Sequence, residues 1–249
     1  MKKIFHLALA CLASWSAPLA AQSTTYSQVV AADTFVSSGL PNGNFGTAGA
    51  MEIAAPTATQ NRTLMTLLRF DTTAMLAAFN TDYGPGNWLV TGVTLSLSSS
   101  VANAGQQPNN NNFNKIAAGG FKLDLLSNNA WSETGITWNT LPSILPGSGN
   151  SNTLTPLGTF FWPANGSVSS TWTLNADAML LNTINNGSEV TLLGQPTAGS
   201  TVGYLVNTLG TSPGYLNVTV QAVPEPSTLT LIASVTGLAG CRIFRRKKS

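Results

Sequence analysis

The sequence predicts an all-β fold, a β-sandwich, flanked at each end by a short segment that does not belong to it. Three observations carry this reading. Apolar and polar residues alternate strictly along several runs, as Val93, Leu95 and Leu97 do with Thr94, Ser96 and Ser98; such alternation buries one face of a strand and leaves the other wet. Gly, Pro and Asn punctuate these runs at short intervals. Helical periodicity is nearly absent, and many short strands with little helix point to two packed sheets.

The elements follow in order. Lys2 and Lys3 precede an apolar run from Ile4 to about Trp15 and then Ala17-Pro18-Leu19-Ala20-Ala21. Charge, a short apolar core and small residues make a secretory signal peptide, residues 1–21, cleaved after Ala20 or Ala21. Cys11 raises a lipoprotein alternative, which the residues before it, Ala8-Leu9-Ala10, do not favour. The body, residues 22–222, then reads as strands at Tyr26–Ala31, Thr34–Val36, Glu52–Ala54, Thr63–Phe70, Val93–Leu97, Phe121–Leu125, Thr159–Phe161, Ser169–Leu174, Val190–Leu193, Tyr204–Val206 and Leu216–Val220. One short helix is expected at Ala176–Ile184, capped by Asn175, with Gly187 past its end; Thr72–Phe79 reads as a further turn or two. The polar tract Gln106–Asn114 between two strong strands reads as a loop.

The last segment, Val223–Ser249, has three parts. Pro224-Glu225-Pro226 is a stiff, extended stretch, because each proline fixes its own φ and Pro226 restricts the residue before it. An apolar run from about Ser227 to Phe244, interrupted by Arg242, would make a helix about 27 Å long, just enough to cross a hydrocarbon core. Arg245, Arg246, Lys247 and Lys248 close the chain, and such clusters stay on the cytoplasmic side. With Arg242 they form a basic anchor, and the body before it faces outward.

Charge and cysteine content exclude several classes of function. The formal net charge of +2 comes from the terminal segments. The body keeps Arg62, Arg69, Lys115 and Lys122 against Asp33, Glu52, Asp71, Asp82, Asp124, Glu133, Asp177 and Glu189, a balance of about −4, which makes nucleic acid and acidic membranes poor partners. Cys11 and Cys241 lie in the two end segments, and His6 in the first. The body therefore has no disulfide, no Ser-His-Asp triad, no Cys-His pair and no His or Cys zinc site.

Two resemblances rest on these residues. Pro224-Glu225-Pro226, a short span and terminal arginines, in that order, resemble the PEP-CTERM sorting signal of bacteria that make exopolysaccharide. That resemblance implies an exosortase, a membrane peptidase, as a partner that processes the tail. Within the body, Asp33-Thr34-Phe35-Val36 followed by Pro41-Asn42-Gly43-Asn44-Phe45-Gly46, then Leu68-Arg69-Phe70-Asp71, and above all Trp131-Ser132-Glu133-Thr134-Gly135-Ile136-Thr137-Trp138-Asn139 with Pro142 beyond, resemble the DNRLRE domain family. The resemblance spans most of Asp33–Val220 and implies a jelly-roll β-sandwich related to carbohydrate-binding modules, found on secreted and surface proteins. Its final strand departs from the family pattern: Val206-Asn207 and Pro213-Gly214-Tyr215-Leu216 stand where many members carry a Ser-Arg-Glu-like segment.

The candidate chemistry is modest. Trp131 and Trp138 bracket a turn; they either close one end of the core, with Glu133 holding loop amides, or offer aromatic faces to sugar rings. Tyr83, Trp88, Phe113, Trp162 and Tyr215 are further aromatics near expected loops. Arg69 is expected half-buried and paired with Asp71 or Glu52. Asp33, Asp71 and Asp82 are candidate ligands of a structural calcium ion; no other cofactor is implied. No pair of carboxylates stands at a spacing that suggests glycoside hydrolysis. These residues imply a non-catalytic protein that is exported to the cell envelope or extracellular matrix and binds or organises polysaccharide. The alternatives are a structural matrix protein without glycan affinity and a polysaccharide-degrading enzyme.

Overall fold

A computed structural model describes residues 22–48, 51–58, 61–99, 118–147, 149–162, 168–205 and 214–223. The expected signal peptide, residues 1–21, the Asn-rich tract, Phe113 and the tail from Pro224 onward lie outside the described residues. Among those described, no helix is long and apolar enough to cross a membrane.

Among the described residues eleven strands are present: β1 (Ser23–Val29), β2 (Ala32–Ser37), β3 (Met51–Ala54), β4 (Leu64–Asp71), β5 (Trp88–Ser99), β6 (Gly119–Leu126), β7 (Leu154–Trp162), β8 (Val168–Thr173), β9 (Glu189–Pro196), β10 (Thr201–Leu205) and β11 (Tyr215–Ala222). They form two open antiparallel sheets. The four-stranded sheet, here sheet A, has the order β1-β11-β5-β8; the seven-stranded sheet B runs β10-β3-β4-β9-β6-β7, with β2 also paired to β4.

Alternation does in sheet A what the sequence predicts. Val93, Leu95 and Leu97 of β5 and Leu216, Val218 and Val220 of β11 are buried, and their inward faces meet Leu68 and Phe70 of β4, Phe121, Leu123 and Leu125 of β6, and Val190 and Leu192 of β9. This main core is closed at one end by Phe79, whose ring meets Tyr26 and Trp88 edge-on at 4.7 and 5.1 Å, and is lined elsewhere by a cluster of Phe121, Phe160, Trp162 and Trp172.

Sheet B behaves differently. Its strands β2, β3 and β9 are buried with little alternation, because both of its faces are covered. Leu67 and Leu193 point away from sheet A into a second cluster with Ala32, Val36, Leu126, Trp131, Ile136, Leu141 and Ile144. The cover is the long excursion 127–153 between β6 and β7, closed at its base where Ser127 N–H donates to the Thr153 carbonyl and Thr153 N–H to Ser127 Oγ.

The helical content corrects the expectation of a single short helix. Among the described residues two helices are present, α1 (Thr73–Tyr83) and α2 (Ala178–Asn185). In α1, Met75 and Phe79 stand four residues apart and are both buried, while Ala74, Ala77 and Ala78 supply high helix propensity. The run Ala74–Phe79 is wholly apolar and the polar residues gather at Asn80–Asp82, so the segment lacks the amphipathic stripe that marks a helix in sequence. The cap of α2 is Asp177, whose carboxylate accepts the Met179 N–H at 2.7 Å, and not Asn175, because the first helical residue is Ala178. Gly187, at φ 61°, follows its end as expected.

Candidate functional site

The family-like segments converge on the outer face of sheet B. Trp131 is 6 % exposed and lies flat in the second cluster, with its indole N–H donating to Thr191 Oγ1 at 3.1 Å. Arg69, on the same face of β4, fixes the segment from below. Its Nη1 donates to the carbonyls of Asn129 and Trp131 at 3.0 and 2.9 Å, and its guanidinium carbon sits 5.1 Å from the centre of the Trp131 ring. The expected partner of Arg69 was Asp71 or Glu52. The ion pair found is with Glu189, 3.4 Å from Nε, because Arg69 and Glu189 share the outer face of neighbouring strands. Asp71 turns instead to the start of α1, where it accepts the Thr73 N–H at 2.9 Å; Thr73 holds its carboxyl below the usual range.

The other motif residues are fastened to the stretch Pro41–Gly46. Asn44 Nδ2 donates to the carbonyls of Glu133 and Ile136, both at 2.8 Å. Asn139 donates through its backbone N–H to the Pro41 carbonyl and through Nδ2 to Asn42 Oδ1. Gly46 passes so close to Glu133 that a Cβ there would stand within 2.2 Å of its carbonyl oxygen; only glycine allows this approach. Thr137 N–H donates to Thr140 Oγ1 at 2.8 Å, starting a 3-10 turn over Leu141–Ser143 with Pro142 in its first turn. Trp138 is half-buried against the second cluster. The Glu133 contact to the Pro41–Gly46 stretch is through its backbone carbonyl, where the sequence had suggested that its carboxylate holds loop amides.

The three candidate calcium ligands are dispersed. Asp82 accepts the Tyr26 hydroxyl at 2.6 Å, and burial together with Asp82 raises the Tyr26 pKa. Asp33 is 6 % exposed, and its Oδ2 has no hydrogen-bond partner. Burial, and secondarily the charge of Glu133, push its pKa up to about 7. No group of three or more His, Cys, Asp or Glu that could hold a metal forms among the described residues.

Of the remaining aromatics, Trp162 is fully buried, Trp88 donates its indole N–H to Asn80 Oδ1, and the Tyr83 hydroxyl donates to Thr24 Oγ1. Tyr215 alone of the described candidates is exposed, at 40 %. It stands on the outer face of sheet A, a surface that the sequence marked only as the wet side of strands. That face is a ladder of short polar side chains bonded from strand to strand. Thr25 and Thr219 hydroxyls lie 3.0 Å apart; Ser27 donates to Asn217 Oδ1 at 2.7 Å; Asn217 Nδ2 donates to Ser96 at 2.9 Å and Thr94 at 3.3 Å; Ser96 meets Thr171, and Ser98 meets Ser169, each at 2.8 Å.

Comparison with known proteins agrees with this architecture. Residues 24–176 match carbohydrate-binding module family 96, and the chain belongs to that family. The matched segment contains every residue of the DNRLRE-like motifs from Asp33 to Pro142. Residues 222–248 match the PEP-CTERM protein-sorting motif, which includes Pro224, Glu225 and Pro226. No curated protein matches the chain.

Two predictions follow from the geometry around Trp131 and Asp33. Trp131→Ala, which empties the centre of the second cluster, is expected to cost ~3–5 kcal/mol in denaturant unfolding, and Trp131→Phe about 1 kcal/mol through the lost bond to Thr191. Asp33 carries a folded-state pKa of about 7 against an ordinary value of 3.8. An acid raised in this way takes up protons on folding, so stability falls as pH rises between those two values. Asp33→Asn is therefore expected to melt like the parent near about pH 4 and to exceed it by roughly 2–4 kcal/mol near about pH 8. Equal stabilities at both pH values would show that Asp33 titrates normally.

Proposed function

We propose that this chain is an exported, non-catalytic carbohydrate-binding protein, delivered by its signal peptide and sorted through its tail by an exosortase-type membrane peptidase. The observation that carries the reading is the joint occurrence of a family 96 carbohydrate-binding module, residues 24–176, and a PEP-CTERM sorting motif, residues 222–248, in one chain. Before processing, the basic anchor Arg242, Arg245, Arg246, Lys247 and Lys248 holds the tail at the inner face of the membrane, and the body stands outside it. The pairing of strands remote in sequence, β1 with β11 and β4 with β9, supports the jelly-roll winding.

The geometry supports binding over catalysis. A glycosidase needs two carboxyl groups facing one sugar bond across open space. Asp71, Asp82, Asp177 and Glu189 are each engaged by a structural partner, and Asp124 accepts Gln195 Nε2 at 2.9 Å beside Lys122. Of the other three, Asp33 and Glu52 are buried, each at 6 % exposure, so neither faces open space together with Glu133.

The binding half of this reading is tested with the purified body, residues 22–223, run by affinity electrophoresis through gels that hold neutral or acidic polysaccharides. Retardation in at least one gel, with no release of reducing ends, is the expected outcome; release of reducing ends or a new unsaturated product would make the protein an enzyme. The sorting half is tested by mass spectrometry of the protein from its native host. A C-terminus near Val223–Ser227 is expected, and Pro224-Glu225-Pro226 changed to alanines should leave a full-length form. Recovery of the parent chain intact through Ser249 from a host that has an exosortase would refute processing.

A further inference from the structure

We infer that the outer face of sheet A is the glycan-binding surface, and that its ligand is an uncharged polysaccharide. The inference rests on the carbohydrate-binding reading above and names the site and the ligand class.

Elimination places the site first. A sandwich of two sheets has four faces. Two make the main core, and the outer face of sheet B lies, over β2, β4 and β9, beneath the 127–153 cover and its apolar cluster, its open margin on β6 and β7 carrying Lys122, Thr159 and Phe161. The outer face of sheet A remains, and nothing among the described residues covers it: Thr25, Ser27 and Val29 of β1, Tyr215 of β11, and Ser169, Thr171 and Thr173 of β8 are all exposed.

The composition of that face names the ligand class. No strand of sheet A contains Asp, Glu, Lys or Arg. The charged strand residues of the body, Asp33, Glu52, Arg69, Asp71, Lys122, Asp124 and Glu189, all belong to sheet B. A solvent-facing sheet ordinarily carries mixed charges, and exposed edge strands carry them in particular, to discourage pairing with other chains. Both edges of sheet A, β1 and β8, lack that protection. An acidic polymer would find no cation here and would meet a body of net negative charge. A neutral glycan needs none. Its hydroxyls are donors and acceptors at once, and so are the Ser and Thr hydroxyls and the Asn amide that line the face.

Register supplies the geometry. Val29, Tyr215, Ser96 and Thr171 stand opposite one another in one row across the four strands, and Ser27, Asn217, Thr94 and Thr173 form the next row. With strands ~4.8 Å apart, each row spans about 14 Å, wide enough to lay an oligosaccharide across. The bonds among Ser27, Asn217, Ser96 and Thr171 hold the rotamers before a ligand arrives, which lowers the ordering cost of binding. Asn217 is an unusual choice for a strand interior; its amide joins β1, β11 and β5. Tyr215 provides an exposed aromatic ring at the centre of its row, against which the apolar face of a sugar can stack.

The test uses the body, residues 22–223, in three single variants: Tyr215→Ala on β11, Ser27→Asp on β1 and Thr171→Asp on β8. Phe161→Ala, which removes an exposed ring from sheet B, is the comparison. Affinity electrophoresis is run in galactomannan, xyloglucan and mixed-linkage glucan, and in alginate and polygalacturonate, with the melting temperature of each protein recorded. Retardation by a neutral glycan is expected, weakened about tenfold or more by Tyr215→Ala and by at least one of the two Asp variants, at unchanged melting temperature, while Phe161→Ala binds as the parent does. The Asp variants lie on opposite edges, so a folding defect in one leaves the other informative. Neutral-glycan binding that survives every sheet A variant, or that is lost in Phe161→Ala, overturns the site and leaves the carbohydrate-binding reading intact. Binding confined to alginate or polygalacturonate overturns the ligand class. Binding to no glycan overturns this inference together with the reading it rests on.

Discussion

Strand β4 carries apolar side chains on both faces, Leu68 and Phe70 toward sheet A and Leu67 toward the opposite side, and this obliges sheet B to be covered twice. The second sheet provides one cover. The other has to come from irregular chain, and irregular chain over an apolar face brings backbone amides and carbonyls that need partners. Arg69 meets that need: its planar guanidinium satisfies two carbonyls of the cover, packs on Trp131 and pairs with Glu189 on the neighbouring strand. Lysine has neither the fork nor the flat surface for this work. The Pro41–Gly46 stretch then clamps the far side of the cover through Asn44, Asn42 and the bare Cα of Gly46. The two best-marked motifs of the body are thus one structural assembly, distant in sequence and in contact in space.

The sandwich was legible wherever a strand has one wet face. Val93, Leu95 and Leu97, or Leu216, Val218 and Val220, declare their orientation by alternation, and they are the buried residues of sheet A. What period could not show was which sheet is covered twice, since a doubly buried strand such as Leu64–Asp71 loses its alternation and the cover is decided by a loop. Helix α1 was legible only as a turn or two at Thr72–Phe79 for a related reason: the run Ala74–Phe79 has no polar residue to set against Met75 and Phe79. The partner of Arg69 was misread because Asp71 and Glu52 are near it in sequence or equally buried, whereas Glu189 becomes its neighbour only through the β4–β9 register. The Ser/Thr/Asn ladder was hidden in plain composition. Each residue is ordinary for a solvent-facing strand position, and only the four-strand register lines them up.

Charge and apolar surface are sorted between the sheets. Sheet B holds the charged strand residues and the second cluster; sheet A holds neither beyond its share of the main core. Sheet B is committed over much of both faces to holding the fold, and the motif residues Arg69, Trp131, Glu133 and Asn139 are bound up in that holding. The outer face of sheet A, by contrast, carries no part of either cluster.

Strand β11 lies between β1 and β5, and its last residues remain bonded to the body up to the sorting motif: Ala222 N–H donates to the Gln22 carbonyl and Val223 N–H to the Asn87 carbonyl. Whatever holds the tail therefore pulls along the axis of an interior strand. Tension entering at Val223 is directed parallel to β11. It stresses the ladders to β1 and β5 in shear, where many hydrogen bonds share the force at once, and does not peel them open one by one. The hydrogen-bond ladders on both sides of β11 thus resist a pull on the C-terminal strand collectively.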